Sequence, residues 1–83
     1  MRLDWKELEP GVWGASTPEG LDFIIEEATN GATGETLYQA SQVLRTCSSA
    51  YENRIRRFPS LEEAKTFLED LAAIQLGLKK DQF

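Results

Sequence analysis

Thr36-Leu37-Tyr38-Gln39-Ala40-Ser41-Gln42-Val43-Leu44-Arg45-Thr46-Cys47-Ser48-Ser49-Ala50-Tyr51-Glu52-Asn53-Arg54-Ile55-Arg56-Arg57-Phe58 is the stretch on which the fold turns. Its apolar positions Leu37, Ala40, Leu44, Cys47, Tyr51, Ile55 and Phe58 fit helical spacing. Against a helix stand Thr46, Ser48, Ser49 and Asn53 in its centre, all poor helix formers. A helix here also leaves only short N-terminal strands to make a sheet, and an isolated hairpin is marginal in water. The balance favours a third strand near 36–44, then a polar loop, then an extended segment from Arg54 to Phe58.

The segment after Phe58 is unambiguous. Ser60-Leu61-Glu62-Glu63 is a capping box, and Pro59 stops any preceding helix. Leu61, Ala64, Phe67, Leu68, Leu71, Ile74 and Leu78 then recur at three- and four-residue steps as one apolar stripe, with Glu62, Lys65, Glu69 and Asp70 off it. Gly77 is a natural stop, and Lys79 and Lys80 suit the negative end of the helix dipole. The spacing predicts a helix over about 60–76.

The chain before Thr36 reads as strands. Val12-Trp13-Gly14-Ala15-Ser16 lies between Pro10-Gly11 and the turn Thr17-Pro18-Glu19-Gly20. Leu21, Phe23 and Ile25 alternate with Asp22 and Glu26, and Asn30-Gly31 and Thr33-Gly34 mark the next reversal. The expected architecture is α+β: one domain spanning 1–83, with an antiparallel sheet of about three strands within 1–58 and one C-terminal amphipathic helix packed on one face.

Composition bounds the function. The chain has 83 residues, 41% of them hydrophobic and 28% charged, which suits one globular domain. Histidine is absent, which removes the commonest general base and metal ligand. The single cysteine, Cys47, makes neither a thiol–histidine pair nor a zinc site, and its expected role is that of a small buried hydrophobe. Gly31-Ala32-Thr33-Gly34 lacks the lysine and the length of a phosphate loop. Glu26 and Glu27 are neighbours on a strand and point to opposite faces, so they form no acid–base pair. The expectation is a protein that is not an enzyme, with no cofactor and no metal. A lone thiol and a Met1–Lys6 segment without an apolar run predict a cytoplasmic protein with no secretory leader. No apolar run approaches the ~20 residues of a membrane span.

The net charge of −5 is unevenly spread. Residues 1–35 carry eight acids against Arg2 and Lys6, a balance of −6; residues 36–59 carry four arginines against Glu52, a balance of +3. The acidic front supplies the candidate partner-binding set: Asp4, Glu7, Glu9, Glu19, Asp22 and Glu26, with Trp5 as an anchor. Such a field complements the lysine- and arginine-lined grooves of nucleic-acid machinery. The alternative set is Arg45, Arg54, Arg56 and Arg57, which suit phosphates or a partner's carboxylates. The overall negative charge speaks against nucleic acid as the partner. A monomer or weak dimer is expected.

Trp5 and Trp13 with seven residues between them, the alternating Leu21–Ala28 strand, and Phe58-Pro59-Ser60-Leu61-Glu62-Glu63-Ala64-Lys65 opening an amphipathic helix resemble small phage proteins. In size, acidity and lack of catalytic residues the chain is similar to anti-CRISPR proteins. That resemblance implies an inhibitor that occupies the surface where a CRISPR effector complex receives DNA, and it carries over no functional residue. The chain also looks like antitoxins with a three-stranded sheet and a Glu-Glu-Ala helix, without the loop expected between the two. That second likeness implies a small regulator, using the arginine segment.

Overall fold

The structure is a computed structural model describing residues 2–45 and 49–77. Five strands, β1 (Lys6–Glu9), β2 (Val12–Ser16), β3 (Asp22–Thr29), β4 (Thr36–Arg45) and β5 (Ala50–Phe58), precede one helix, α1 (Leu61–Gln75). They form a single antiparallel sheet in the order β1-β2-β3-β4-β5, so each strand pairs with its neighbour in sequence. The α+β arrangement with one C-terminal helix on an antiparallel sheet holds, and the stretch from Thr36 is a strand. The number of strands is corrected from about three to five. Lys6–Glu9 pairs as a short, fully exposed edge, which leaves no alternation to read. β5 begins at Ala50 rather than Arg54, because its residues pair with β4 back to Arg45.

Register fixes which side chains share a face. Trp13, Ile25 and Ala40 align across β2, β3 and β4, and so do Ala15, Phe23 and Gln42. Helix α1 lies across β3, β4 and β5 on this face. Its Ala64, Leu68 and Ala72 pack with Phe23, Ile25 and Ala40 as the buried core. The alanines let the helix approach closely, while Leu68 fills the space between the layers. Leu61, Phe67 and Leu71 flank this line, half-buried. Ile74, expected on the buried stripe, is 49% exposed, and Ala73 is buried instead. The helix axis thus rolls slightly toward its small residues. Val12 lies on the opposite side of the sheet from Phe23 and Ile25, beside Glu26.

Polar groups close the layers. Ser60 has extended backbone and accepts from the Glu63 amide at 3.2 Å, as the capping box requires. The Glu63 carboxylate returns to the Ser60 hydroxyl, also at 3.2 Å, rather than to its amide. At the other end of α1 the Gln75 and Gln42 amides exchange two hydrogen bonds of 2.9 Å, which satisfies a buried glutamine. Phe58 stacks at a tilt on Phe67 with centroids 5.1 Å apart. The expectations for Cys47, Leu78, Lys79 and Lys80 lie outside the described residues.

The end of the helix face over β1 and β2 is closed by the leading segment. Leu3 and Trp5 pack against the core, and one oxygen of Glu69 accepts from the Leu3 amide at 2.9 Å and from the Trp5 ring nitrogen at 3.2 Å. Glu69, read from the sequence as solvent-facing, is the clasp between the start of the chain and α1.

Candidate functional site

The face of the sheet away from α1 carries the site. Alternation puts Lys6 beside Gly14, and Gly14 beside Ile24, Ser41 and Arg54 in turn. Val12, Glu26, Gln39 and Arg57 make a second row, and Ser16, Asp22, Val43 and Glu52 a third. No described element covers these rows. Gly14 has a specific purpose here: a Cβ in its place would stand 2.7 Å from Leu8 Cδ1. The missing side chain lets Leu8 fold over the strand while remaining 61% exposed. Around it Asp4, Lys6, Ser16, Asp22, Ile24 and Val43 line an open depression of about 360 Å³.

Four of the acidic candidates gather on this face. Asp4 and Asp22 flank the depression, and Asp22 accepts a 2.5 Å hydrogen bond from the Ser16 hydroxyl. Glu9 and Glu26 lie further along, close enough to repel one another. The face also takes Glu52, which sequence reasoning placed in the basic segment. The Glu26 carboxyl is raised above its ordinary value, first by its hydrogen bond with the Glu52 side chain. Burial and repulsion by Glu52 push the same way, Arg54 pulls it down, and Glu9 adds a smaller upward push. Ser41 on β4, between Ile24 and Arg54, is fully buried, and its hydroxyl has no hydrogen-bond partner.

The remaining candidates are not brought there. Glu7 pairs with Trp13 on the helix side of the sheet, at its exposed edge. Glu19 is exposed in the Thr17–Gly20 turn, at a hairpin tip. Trp5 is half-buried with its ring nitrogen bonded to Glu69, which makes it a packing residue. Trp13 packs against the core and tilts against Tyr38, centroids 6.1 Å apart.

The arginines divide. A β-bulge in β5 sets Arg56 opposite Ala40 but Arg54 opposite Ser41, with Ile55 as the extra residue. Arg54 and Arg57 therefore share the uncovered face, where Arg57 donates to Gln39 Oε1 at 3.2 Å. Arg56 turns to the other side, its guanidinium 5.4 Å from the centre of the Phe58 ring. Arg45 ends β4, at the far end of the β4–β5 ladder from Arg56 and Arg57.

What sequence reasoning missed is Glu52, Leu8, Ile24, Ser41 and Val43 as members of one surface. Alternation carried through a correctly bounded β5 would have found Glu52. Among the described residues, no group of three or more acidic or thiol side chains is placed to hold a metal ion, and no helix is long and apolar enough to cross a membrane. Comparison with protein-family models, curated proteins and solved structures returned no match.

Proposed function

We propose that this chain is a non-catalytic binding protein that applies its uncovered sheet face to a basic macromolecular surface, and that the surface belongs to a complex that handles nucleic acid. The observation that carries this reading is the convergence of Asp4, Glu9, Asp22, Glu26 and Glu52, from separate segments, onto the face opposite α1. Five carboxylates against Lys6, Arg54 and Arg57 leave that face negative. Leu8, Ile24 and Val43 supply an apolar centre inside the charged rim, the usual anatomy of a protein–protein interface. The charge steers encounter and selects a cationic partner, while the apolar centre resists dissociation.

Grooves that grip a phosphate backbone are extended basic surfaces, and a CRISPR effector complex is one kind of machinery that has them. Occupying such a groove would exclude DNA without any chemistry. Contact with nucleic acid through the arginines is less favoured, because Arg56 lies on the opposite face and Arg54 stands among carboxylates.

The test is a binding assay against purified nucleic-acid-handling complexes, a CRISPR effector among them, with and without bound DNA. The parent should bind the DNA-free form and compete with DNA. Asp4, Glu9 and Glu26 changed together to lysine should slow association at least about tenfold and flatten its salt dependence. Glu19→Lys with Glu35→Lys, off the face, should bind like the parent. Equal binding by the triple variant, or parent binding indifferent to DNA, would overturn the proposal.

A further inference from the structure

β5 ends the sheet on the side remote from β1, and no described element pairs with its outer edge. The two edges are built differently. β1 is four residues long, broken by a bulge between Glu7 and Glu9 and crowded with Lys6, Glu7 and Glu9. Those are the usual defences against edge-to-edge pairing; β5 also has a bulge and four charged side chains, so what sets it apart is its length and the order of its charges. β5 is nine residues long, and its bulge falls at Ile55, which leaves Tyr51–Arg54 continuous and exposed. Tyr51 is 53% exposed.

The residues there are self-complementary. Tyr51-Glu52-Asn53-Arg54-Ile55 reads apolar, acid, amide, base, apolar in one direction and apolar, base, amide, acid, apolar in the other. An antiparallel pair of two such segments related by a two-fold axis at Asn53 sets Glu52 opposite Arg54 twice. It sets Tyr51 opposite Ile55 twice and brings the two Asn53 amides together. Shifting the axis to Glu52 or to Arg54 sets like charges face to face, and placing it between residues sets Glu52 opposite Asn53 or Ile55. Opposite charges in directly paired positions stabilise a ladder and like charges destabilise it, so one register stands out. Parity agrees with this. Asn53 and Tyr51 pair with Gln42 and Leu44 on the helix side, while Glu52 and Arg54 lie on the uncovered side. Each proposed pair therefore joins side chains on the same face of the extended sheet.

We propose that a second copy of this chain pairs with β5 about a two-fold axis at Asn53, joining two five-stranded sheets into one. An isologous contact of this kind closes on itself as a dimer and leaves only the guarded β1 edges at its ends. The pairing runs along the edge of the sheet but shares Glu52 and Arg54 with the proposed partner-binding face, so it is tested by self-association of the chain alone, with no partner present.

The experiment is light scattering of the full chain over a rising concentration series. The parent should pass from monomer to dimer. Glu52→Arg sets two arginines opposite one another at both symmetric positions, and Arg54→Glu sets two glutamates there. Each variant alone should self-associate at least about tenfold more weakly. An equimolar mixture of the two should recover the dimer, because the arginine introduced into one chain then faces the glutamate introduced into the other. Should either variant fail to fold, Asn53→Cys in a Cys47→Ser background, treated with a short bifunctional thiol reagent, should give cross-linked dimers. A parent that stays monomeric throughout, single reversals that dimerise like the parent, a mixture that fails to recover, or an Asn53→Cys chain that does not cross-link would each overturn the proposal.

Discussion

The Glu26 and Glu52 side chains meet across the uncovered face of the sheet, on a diagonal that passes over Ser41 of the intervening strand. Two carboxyls in hydrogen-bonding contact hold a proton more tightly than either does alone, which is why Glu26 titrates above its ordinary value of 4.5. A carboxyl whose folded pKa is raised favours the folded state fully below its unfolded pKa and loses that contribution as pH rises through the folded pKa. Glu26→Gln keeps a hydrogen-bonding group but cannot ionise. It should melt higher than the parent at neutral pH, and the difference should shrink as pH falls through the raised carboxyl toward the ordinary value of 4.5. Thermal melts across that range check this, and a difference independent of pH would refute the pairing.

Ser41 makes an unusual subject for mutation, because removing its hydroxyl should not hurt. The hydroxyl is buried without a partner, and an unmet polar group costs about 1–3 kcal/mol. Ser41→Ala should leave stability unchanged or raise it by about 1 kcal/mol, against the usual trend for buried positions. Urea unfolding measures it. A loss above about 1 kcal/mol would mean that the hydroxyl is bonded in solution.

Leu68 and Ile74 should respond differently to the same truncation. Leu68 is fully buried between α1 and the Phe23–Ile25–Ala40 layer, so Leu68→Ala should cost about 2–5 kcal/mol. Ile74 is half exposed, and Ile74→Ala should cost less than about 1 kcal/mol. Comparable losses at the two sites in chemical denaturation would put the helix in a different rotation.

Trp5→Phe keeps an aromatic ring and removes the donor to Glu69. Hydrogen bonds to charged groups contribute about 1.5–3 kcal/mol when sheltered, and partial exposure reduces this. The expected loss is about 1 kcal/mol, read from denaturant midpoints. Partner binding should be retained, because Trp5 lies on the helix side of the sheet.

Much of this fold was legible residue by residue. Ser60 and Glu63 cap the helix as their spacing predicts, and Phe23, Ile25, Ala64 and Leu68 meet because their periods say which face they share. Three features escaped for physical reasons. Lys6–Glu9 is an edge with no buried side, so no hydrophobic alternation marks it. β5 hides behind a bulge that breaks its period at Ile55, which makes Arg54 and Arg56 look like neighbours on one face. Glu69 is charged and adjacent to Asp70, and its bonds to the folded-back Leu3–Trp5 segment leave no mark in the local sequence pattern. The acidic candidates were found by charge, yet charge alone does not separate Asp4, Glu9, Asp22 and Glu26 from Glu7 and Glu19. That separation is a matter of strand parity.

The Glu69 clasp has a consequence for the order in which the molecule assembles. Every strand pairs with the next one along the chain, so the sheet can zip up through short loops, a topology that favours rapid formation. The bonds from Leu3 and Trp5 to Glu69 close over 66 and 64 residues, and they connect a segment ahead of β1 to the last element in sequence order. Loop closure of that span is entropically late. Weakening the clasp should therefore leave the refolding rate nearly untouched and show itself as faster unfolding.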